Sequence, residues 1–460
     1  MSLPRYAAYK PSGVEWFGEV PNHWQAKRLK TEASYCVSNV DKVPSDDELP
    51  VRLCNYTDVY YNDQIMPDMG LMETTATAEE IRKFGLRVND VLITKDSEEW
   101  SDIAVPAMVA ETAPDLVCGY HLAIIRPAEG RLLGKFLLRT LQSSAVNQQF
   151  QIAASGVTRY GLPKSSIGEA WLPLPPLEEQ KTIANFLDAQ TAKIDTLLAK
   201  KRQLIAKLKE KRSALIARTV TRGLPVTPAK AGADAAKAAG LVPKPAMKDS
   251  GVEWLGNIPA HWNVRPIRYL FKNLDSKRIP LSGEDRATLE KLYPYYGASG
   301  IIDQVDEYIF DEPLILVAED GANLLSRSSP LAFLATGKYW VNNHAHILHT
   351  IIGDISYWVS VLQTFDFTPL VTGAAQPKLT ADRLGGIRLP VPPAEEQQAI
   401  AAYLDRETAR IDQLAAKVEA AIARLTEYRQ ALITSAVTGK IDVSQYNTQK
   451  GAQHATVTLS

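Results

Sequence analysis

The sequence has few of the residues that disulfides, metal sites and proton transfer require. It has three cysteines in 460 residues, Cys36, Cys54 and Cys118, and no two of them are close in sequence. This argues against a disulfide or zinc framework and fits a reducing compartment. Seven histidines leave little material for general acid–base catalysis. No apolar run is long enough to cross a bilayer and no signal-peptide pattern is visible, so we expect a cytoplasmic protein.

Nucleotide-binding and catalytic motifs are also missing. There is no Gly-x-x-x-x-Gly-Lys-Ser/Thr loop and no Gly-x-Gly-x-x-Gly turn. The Pro-Pro-Tyr ending of an amino-methyltransferase motif and the spaced acids of a magnesium nuclease are absent as well. His344, His346 and His349 would not share one strand face, so we expect no metal site. The sequence therefore favours a protein that does not itself make or break bonds.

The chain has almost no net charge, but its charged residues are unevenly distributed. The net charge is −1, so any nucleic-acid surface must be local. Residues 178–222 carry eleven Lys or Arg against five acids, whereas residues 395–440 carry six against seven. The basic segment is either a solvated helix face or a surface that lies along phosphates.

The most informative feature is a duplicated stretch. Residues 172–180 read Leu-Pro-Leu-Pro-Pro-Leu-Glu-Glu-Gln, and residues 389–397, 217 positions later, read Leu-Pro-Val-Pro-Pro-Ala-Glu-Glu-Gln. Prolines fit just before a helix, and the glutamates complement the helix dipole at its start. Each stretch therefore predicts the beginning of a helix.

An apolar heptad pattern follows both stretches and predicts a coiled-coil seam. Lys201 interrupts the pattern of the first copy. The predicted seam residues are Leu187, Ile194, Leu197, Leu204, Leu208 and Leu215 in the first copy, and Leu404, Ile411, Leu414, Val418, Leu425 and Leu432 in the second. Each helix would be about 65 Å long. The duplicated start and register favour an antiparallel spacer, while periodicity alone is equally typical of a generic helical hairpin between domains.

A second repeat precedes the globular parts. Residues 10–24 and 248–262 are identical at ten of fifteen positions and share Gly-Val-Glu-Trp and His-Trp. The chain therefore alternates globular unit and long helix twice. Short buried-strand patterns mixed with helical stretches predict an α+β fold, with two globular mixed α/β domains separated by two long antiparallel coiled-coil helices in a pseudo-twofold repeat. The predicted boundaries are a first domain 1–171, helix 172–222, an Ala/Pro-rich linker 223–246, a second domain 247–388, helix 389–441 and a flexible tail 442–460.

These motifs together resemble the specificity subunit of type I restriction–modification enzymes, and the resemblance covers essentially all of the chain. It implies that each globular unit is a target recognition domain for one half of a bipartite, asymmetric double-stranded DNA target. It also implies that the helices set the spacing and dock two methyltransferase subunits, with two restriction motor–nuclease subunits as further partners. No cofactor is then bound by this chain, and S-adenosylmethionine, ATP and Mg²⁺ belong to the partners. In this family the loop at Thr158-Arg159-Tyr160 often has a glutamine, which this chain has only in the second unit, at Gln376.

Specific reading of DNA needs polar side chains that reach base edges. We expect them on the loops that follow the buried strands and on the Gly-containing loops that close each unit. The candidates in the first unit are Lys95, Ser97, Thr158, Arg159, Tyr160 and Lys164, and those in the second are Asn323, Ser326, Arg327, Asn342, Asn343, Gln376 and Lys378.

Two rival hypotheses remain open from the sequence. One is a coiled-coil scaffold that joins protein partners without reading DNA. The other is a self-sufficient nuclease or methyltransferase, which the missing motifs disfavour.

Overall fold

The computed structural model describes residues 4–224, 245–373, 376–444 and 446. The chain divides into two compact units: unit 1 is Met1–Arg202 with Ala420–Ser460, and unit 2 is Gln203–Glu419. The linker predicted at 223–246 and the tail predicted at 442–460 lie outside the described residues, apart from 223–224, 245–246, 442–444 and 446. Both units combine helices with sheets, so the α+β content agrees with the sequence-based prediction.

Unit 1 contains a five-stranded mixed sheet and a three-stranded sheet. The strand Val91–Thr94 is buried on both faces because alternate side chains enter two different cores. In spatial order the sheets are Ala33–Val37, Leu122–Pro127, Val91–Thr94, Pro106–Val109, Gln64–Ile65, and Leu116–Cys118, Leu49–Cys54, Met72–Ala76. Three strand pairs complete it: Tyr9–Pro11 with Glu19–Pro21, Gln25–Arg28 with Trp171–Leu174, and Asp96–Ser97 with Tyr160–Gly161. Its shorter helices are Leu29–Glu32, Tyr56–Tyr61, Ala78–Phe84, Gly134–Gln142, Ser144–Ala153 and Lys164–Glu169.

Unit 2 contains two four-stranded sheets. The strand Leu314–Ala318 repeats the double burial of its counterpart in unit 1. In spatial order the sheets are Phe271–Asn273, Ala345–Thr350, Leu314–Ala318, Ala332–Ala335, and Gly300–Val305, Tyr293–Gly297, Lys338–Val341, Phe310–Asp311. Two strand pairs are Met247–Asp249 with Asn257–Pro259, and Asn263–Pro266 with Arg388–Val391. Its shorter helices are Gly283–Ala287, Asn323–Ser326, Ile355–Thr364 and Ala381–Gly386, with 3₁₀ turns Ile267–Tyr269, Asp275–Lys277 and Thr368–Leu370.

Two long helices dominate the rest of the chain. The first spans Leu177–Arg222 (46 residues) and the second Ala394–Val437 (44 residues). Each begins directly after the prolines, as predicted, because proline fits the first turn but not the interior. Each ends before a glycine with positive φ, Gly223 at +77° and Gly439 at +71°, a conformation that glycine adopts without a steric penalty.

The glutamine of the Glu-Glu-Gln motif fixes the start of each long helix to its globular unit. Gln180 is fully buried. Its side-chain oxygen accepts from the Leu133 N–H at 3.0 Å, and its amide donates to the carbonyls of Arg131 and Pro175 at 2.9 and 3.0 Å. Gln397 accepts from the Asp354 N–H and donates to the Pro392 carbonyl, both at 3.0 Å.

The preceding glutamate binds the His-Trp segment that opens each unit. In unit 1, Glu179 accepts from Tyr6 at 2.5 Å and contacts His23 Nε2 at 2.7 Å. In unit 2, Glu396 contacts His261 Nε2 at 2.8 Å and accepts from the Trp262 indole at 3.0 Å. The two repeated motifs therefore contact each other within each unit, which explains why both are duplicated.

One buried face runs along the first long helix in steps of four and three. In unit 1 this face includes Leu187, Thr191, Ile194 and Leu198, which are all less than 9% exposed. It continues in unit 2 with Leu208, Ile216 and Thr219. Alternating steps of four and three are the heptad spacing of a seam. In the second helix the buried seam residues are Leu404, Ile411, Val418 and Leu432, whereas Leu215 of the first helix and Leu425 of the second are partly buried.

Three predicted seam leucines lie outside this face. Leu197 is 47% exposed, Leu204 40% and Leu414 45%, which corrects the predicted stripe at these positions. Leu197 and Leu204 each precede another apolar residue, Leu198 and Ile205, and the sequence pattern alone assigned the wrong member of each pair. The face runs through the second member because it lies four, not three, residues after the preceding seam position.

An ion pair joins the two long helices within each unit. Arg429 Nε lies 2.9 Å from Asp195 Oδ1 in unit 1, and Arg212 Nε lies 3.1 Å from Asp412 Oδ1 in unit 2. Asp412 and Arg429 stand 217 positions after Asp195 and Arg212. The same contact therefore occurs twice, with the acid and the base exchanged between the two copies of the repeat.

Candidate functional site

In unit 1, two of the predicted loops meet in one short strand pair. Tyr160 pairs with Ser97 and Gly161 with Asp96. The Leu162 N–H also donates to the Lys95 carbonyl at 2.8 Å. The structure therefore places the loop after the buried strand beside the loop that closes the unit.

A histidine and an aspartate lie at the centre of this pair of loops. His121 Nδ1 is 2.5 Å from Asp96 Oδ2, and Lys95 Nζ is 3.2 Å from the other oxygen of the same carboxylate. An Arg159 guanidinium nitrogen approaches His121 Nδ1 at 3.5 Å. Because Asp96 holds both Lys95 and His121, the basic groups of the site are positioned rather than free to rotate. Ser97 itself is buried.

Unit 2 repeats this arrangement with different side chains. Thr372 and Lys378 exchange backbone hydrogen bonds of 2.9 and 2.7 Å, as Ser155 and Gly161 do in unit 1 at 3.1 and 2.8 Å. The Leu379 N–H donates to the Glu319 carbonyl at 2.7 Å, which matches the bond of Leu162. The closing loop thus lies against the post-strand loop in both units.

The histidine–aspartate pair is repeated as well. His344 Nδ1 lies 2.8 Å from Asp320 Oδ1, and the Glu319 N–H donates to the His344 carbonyl at 2.9 Å, just as Lys95 donates to His121 at 2.8 Å. The sequence analysis did not select Asp96, His121 or Asp320 as site residues. A usable signal was present in the sequence. Asp96 follows the stretch Val91–Lys95 and Asp320 follows the similar stretch Ile315–Glu319, while His121 and His344 directly precede the apolar strands Leu122–Pro127 and Ala345–Thr350.

A buried ion network lies behind the loops of unit 2. Glu319 contacts the guanidinium of Arg278 and lies 3.2 Å from Lys378 Nζ. His346 Nδ1 lies 2.6 Å from Asp275, and its Nε2 lies 2.8 Å from the Leu379 carbonyl. Burial raises the pKa of Asp275, but hydrogen bonds from His346, Asn273 and a backbone N–H outweigh it and lower that pKa below 3.8.

This network bears on metal binding. Oxygen and nitrogen atoms of Asp275, Glu319 and His346 lie within 4.8 Å of one another, a spacing that would suit a cation. Arg278 and Lys378 already neutralise Glu319 in this arrangement. His344, His346 and His349 do not converge, because each contacts a different carboxylate. The chemistry of the donor set favours an ion-pair network over a metal site.

Several candidates in unit 2 use their polar atoms in hydrogen bonds within the unit. The Asn323 side chain bonds the Ser329 carbonyl at 3.2 Å and its N–H at 2.9 Å. Arg327 donates to the carbonyls of Gln363 and Phe365 at 3.3 and 3.2 Å. Buried Asn342 accepts from the His344 N–H at 2.8 Å. These residues shape the loops, so their side chains have less capacity to contact a ligand.

The remaining candidates are more available. Ser326 is exposed, and among the described residues its hydroxyl bonds only the neighbouring Ser328 hydroxyl, at 3.3 Å. The other exposed candidates are Thr158, Arg159, Lys164, Asn343, Gln376 and Lys378. Together with Lys95 and Tyr160, they form a polar set of nine residues in the two units, four of which are basic.

Comparison of this chain with known proteins identifies its family. The family described as "Type I restriction modification DNA specificity domain" matches residues 55–207 and 259–424. Because these two matches cover more than half of the chain, the chain belongs to the type I restriction–modification specificity family. Each match begins within a globular part and ends within a long helix.

Individual relatives carry the same description. The putative type I restriction enzyme MjaX specificity subunit of Methanocaldococcus jannaschii is 21% identical over 449 residues, which cover 93% of this chain and 95% of that protein. A putative type I restriction enzyme specificity subunit of Haemophilus influenzae is 30% identical over 164 residues, 35% of this chain, and the match spans only 39% of that protein.

A solved structure agrees in fold. A chain from a study of complex assembly and conformational transition of the type I R-M system superposes with a TM-score of 0.64 at 15% identity, covering 91% of this chain and 98% of that one. Among the described residues, no helix is both long and apolar enough to cross a membrane.

Proposed function

We propose that this chain is the non-catalytic, DNA-reading specificity subunit of a type I restriction–modification enzyme. In this proposal unit 1 reads one half of a bipartite, asymmetric target and unit 2 reads the other. The observation that carries it is the loop arrangement described above, which recurs in both units with the same backbone bonds and different side chains. A duplicated frame with divergent side chains suits two readers of different sequences.

The side chains on the closing loops have the chemistry for base reading. In unit 1, Arg159 presents a guanidinium, the group that most often pairs with guanine in the major groove. In unit 2, Gln376 presents an amide, which suits adenine, and Lys378 presents an ammonium. We infer that these three residues contact base edges, and that Lys95 and Asn343 position the backbone or add contacts.

The long helices then act as an antiparallel spacer between domains 1–171 and 247–388. The duplicated ion pairs support this, because the acid and the base exchange places between the copies, as a pseudo-twofold axis requires. Half-sites read from one side of a duplex lie about one helical turn, roughly 34 Å, apart. Helices of 46 and 44 residues, about 65–70 Å long, are long enough to bracket that span.

Catalysis belongs to partner subunits in this proposal. Two methyltransferase subunits that use S-adenosylmethionine dock on the helices, and two restriction subunits that use ATP and Mg²⁺ join through them. The absence of nucleotide-binding and methyltransferase motifs from the sequence motivates this assignment.

The alternative is a scaffold that joins proteins without reading DNA. The two readings differ in one measurable respect, since a scaffold leaves the methylated sequence unchanged when its globular units are exchanged. Basic loops held by repeated aspartates, as at Lys95 and Asp96, favour the DNA-reading function.

The test exchanges residues 1–171 for the same unit of a relative and determines the methylated motif of a host by sequencing its methylated bases. We expect one half of the motif to change and the other half to persist. Arg159→Ala should relax the first half-site and Lys378→Ala the second. Arg82→Ala is the control, because Arg82 is exposed on the short helix Ala78–Phe84 of unit 1, away from these loops in sequence. A motif in which both halves change together would contradict the modular function.

A further inference from the structure

One polar pair is the same in both units, although the positions around it differ. Asp96 Oδ2 lies 2.5 Å from His121 Nδ1 in unit 1. Asp320 Oδ1 lies 2.8 Å from His344 Nδ1 in unit 2. The aligned neighbouring positions hold different residues in the two units, which are Lys95 and Glu319, Tyr120 and Asn343, and Gly161 and Lys378. In the proposed function the two units read different half-sites, yet they keep this histidine and this aspartate.

The stability of the fold does not account for this repetition. The side chains of His121 and His344 are 20% and 46% exposed, and ion pairs in contact with water add little to stability. The loops are already joined by backbone bonds, since the N–H groups of Lys95 and Glu319 donate to the two histidine carbonyls at 2.8 and 2.9 Å. The backbone of His121 also has a φ of +71°. Such strain in a residue with a Cβ occurs mostly at functional sites.

The aspartates determine which ring nitrogen is left for a ligand. A carboxylate only accepts hydrogen bonds, so Nδ1 carries a hydrogen in each pair. Nε2 is then the open position, and no residue that the structure describes forms a hydrogen bond with it in either ring. Nε2 of a neutral ring is an acceptor, whereas Nε2 of a charged ring donates. An anion at Nε2 therefore requires a second proton on the ring, which comes from solvent.

Charged groups of both loops surround the ring in unit 1. Asp96 faces His121, and its carboxylate also lies 3.2 Å from Lys95 Nζ. An Arg159 nitrogen approaches the ring at 3.5 Å, and the ring centroid of Tyr120 lies 3.6 Å from that of His121. The acid favours a second proton on the ring and the two cations oppose it. An anion that binds at Nε2 supplies the additional negative charge that holds the proton.

The surroundings in unit 2 differ in detail but lead to the same result. Asp320 faces His344 and pairs its backbone with that of Lys378. Lys378 Nζ lies 3.2 Å from Glu319. Arg278 also contacts Glu319 and donates to the carbonyl of the residue before His344 at 3.3 Å. Both cations beyond Asp320 are thus already engaged by an acid, and an anion at Nε2 again favours the charged ring.

We propose that His121 and His344 each bind a DNA phosphate through Nε2 and take up a proton as they do so, which makes the affinity for DNA depend on pH but not on base sequence. This rests on the proposed function, and it assigns to the shared pair the positioning of the DNA backbone. A phosphate is the group that two different half-sites have in common. The hydrogen bond from a charged ring to a phosphate is of the strong, charge-assisted kind.

The test measures DNA affinity of the full chain assembled with the methyltransferase subunit of the same system. One duplex carries the methylated motif, and in the other both halves of the motif are scrambled. Because the bound ring holds an additional proton, affinity is highest at low pH and falls as the pH rises. Between about pH 6 and pH 8, wild type should weaken about tenfold for each histidine, roughly 100-fold in all, on both duplexes.

Glutamine variants remove the charge but keep a polar side chain of similar size. His121→Gln and His344→Gln should each weaken binding about tenfold near pH 6 and little near pH 8. Each should also lower the slope of log affinity against log salt by about 0.9 near pH 6. The double variant should have almost no pH dependence. His344→Arg, a permanent cation, should keep the salt slope and lose its share of the pH dependence.

His349→Gln is the matched control. His349 also contacts a carboxylate, that of Glu312 at 2.9 Å, and it is 44% exposed, close to the value of His344. It lies near the far end of the strand Ala345–Thr350, whereas His344 directly precedes that strand. This variant should match wild type in affinity, salt slope and pH dependence.

Other outcomes separate this inference from the proposed function. Circular dichroism melting establishes that each variant is folded. If the folded glutamine variants bind as wild type does, or weaken binding equally at both pH values, the phosphate contact is wrong. If they weaken binding to the motif duplex alone, the histidines contact bases and the inference is also overturned. In these cases a wild type that prefers the motif duplex leaves the proposed function standing. A wild type that binds both duplexes equally removes that function even where the pH dependence is present.

Discussion

Replacing Gln180 tests how the first long helix is fixed to its globular unit. Gln180→Met keeps the length of the side chain but removes its polar atoms, so packing changes little. The variant loses three hydrogen bonds of 2.9–3.0 Å, one of them from the buried Leu133 N–H. At about 1 kcal/mol for each lost bond, the unfolding free energy should fall by roughly 3 kcal/mol.

The repeat supplies a graded comparison. Gln397→Met removes two bonds of 3.0 Å rather than three, so its cost should be about 2 kcal/mol. Gln203 is exposed on the first long helix, and Gln203→Met should change the unfolding free energy by less than about 0.5 kcal/mol. The expected order of destabilisation is therefore Gln180, then Gln397, then Gln203.

Urea unfolding measures the total effect, and hydrogen exchange measured by mass spectrometry locates it. Exchange at the Leu133 amide should accelerate about 100-fold in Gln180→Met, because roughly 3 kcal/mol of local protection is lost. The Asp354 amide should be unaffected in that variant and accelerate only in Gln397→Met. A Gln180→Met cost below about 0.5 kcal/mol, or an unprotected Leu133 amide in the wild type, would refute the anchoring role.

Three further predictions concern the seam, a helix end and the ion network. Lys201→Leu should raise the unfolding free energy by about 1 kcal/mol, because Lys201 interrupts the seam and is partly buried; an unchanged or lower melting temperature would mean that the lysine is committed elsewhere. Gly439→Ala should cost at least about 2 kcal/mol in urea unfolding, since φ is +71° and a Cβ would lie 2.4 Å from a proline carbon. Gly223→Ala should cost less, because the nearest atom to its Cβ would be a side-chain oxygen at 3.4 Å, an ordinary van der Waals distance, and equal costs would contradict this. Asp275 has a lowered pKa in the folded state, so its stabilising effect is present above the unfolded value of 3.8 and lost as the pH falls through the folded value. Asp275→Asn, which keeps the contact with His346 but not the charge, should therefore flatten the loss of stability below about pH 4, and an unchanged acid profile would argue against it.

The scaffold was largely predictable from the sequence because its signals are local and duplicated. The duplicated proline–glutamate pattern predicted where each long helix begins to within a few residues of the observed first residues, Leu177 and Ala394. The sequence did not determine equally well which apolar residues form the buried face of each helix. Where Leu197 and Leu198 are adjacent, hydrophobicity cannot tell which one faces the partner helix, and the answer depends on the geometry of the pair.

The loops were predictable in position but not in function. The sequence placed Arg159 and Lys378 on closing loops that lie beside the post-strand loops in both units. It did not reveal that Asn342 accepts a hydrogen bond within its own loop, or that Arg327 donates to carbonyls at the end of the helix Ile355–Thr364. The Arg327 contact joins residues that are close only after folding, so no local pattern encodes it. The Asn342 bond spans two residues, and it is one of several local bonds that an asparagine side chain can make.

The two units differ in how firmly the globular part is fixed to the long helices. In unit 1 the buried Arg139, sixth residue of its helix, holds Asp188 of the first long helix at 2.9 Å and Asp63 of the globular part at 2.9 Å. In unit 2 the sixth residue of the corresponding helix is Ser360, which donates to a carbonyl of its own helix. Asp405, the counterpart of Asp188, has no cation partner among the described residues. Both copies of the repeat thus have the buried glutamine that fixes the start of the long helix, whereas only unit 1 has the additional ion pairs of Arg139. The attachment of globular part to helix is therefore common to both units, but it is stronger in unit 1.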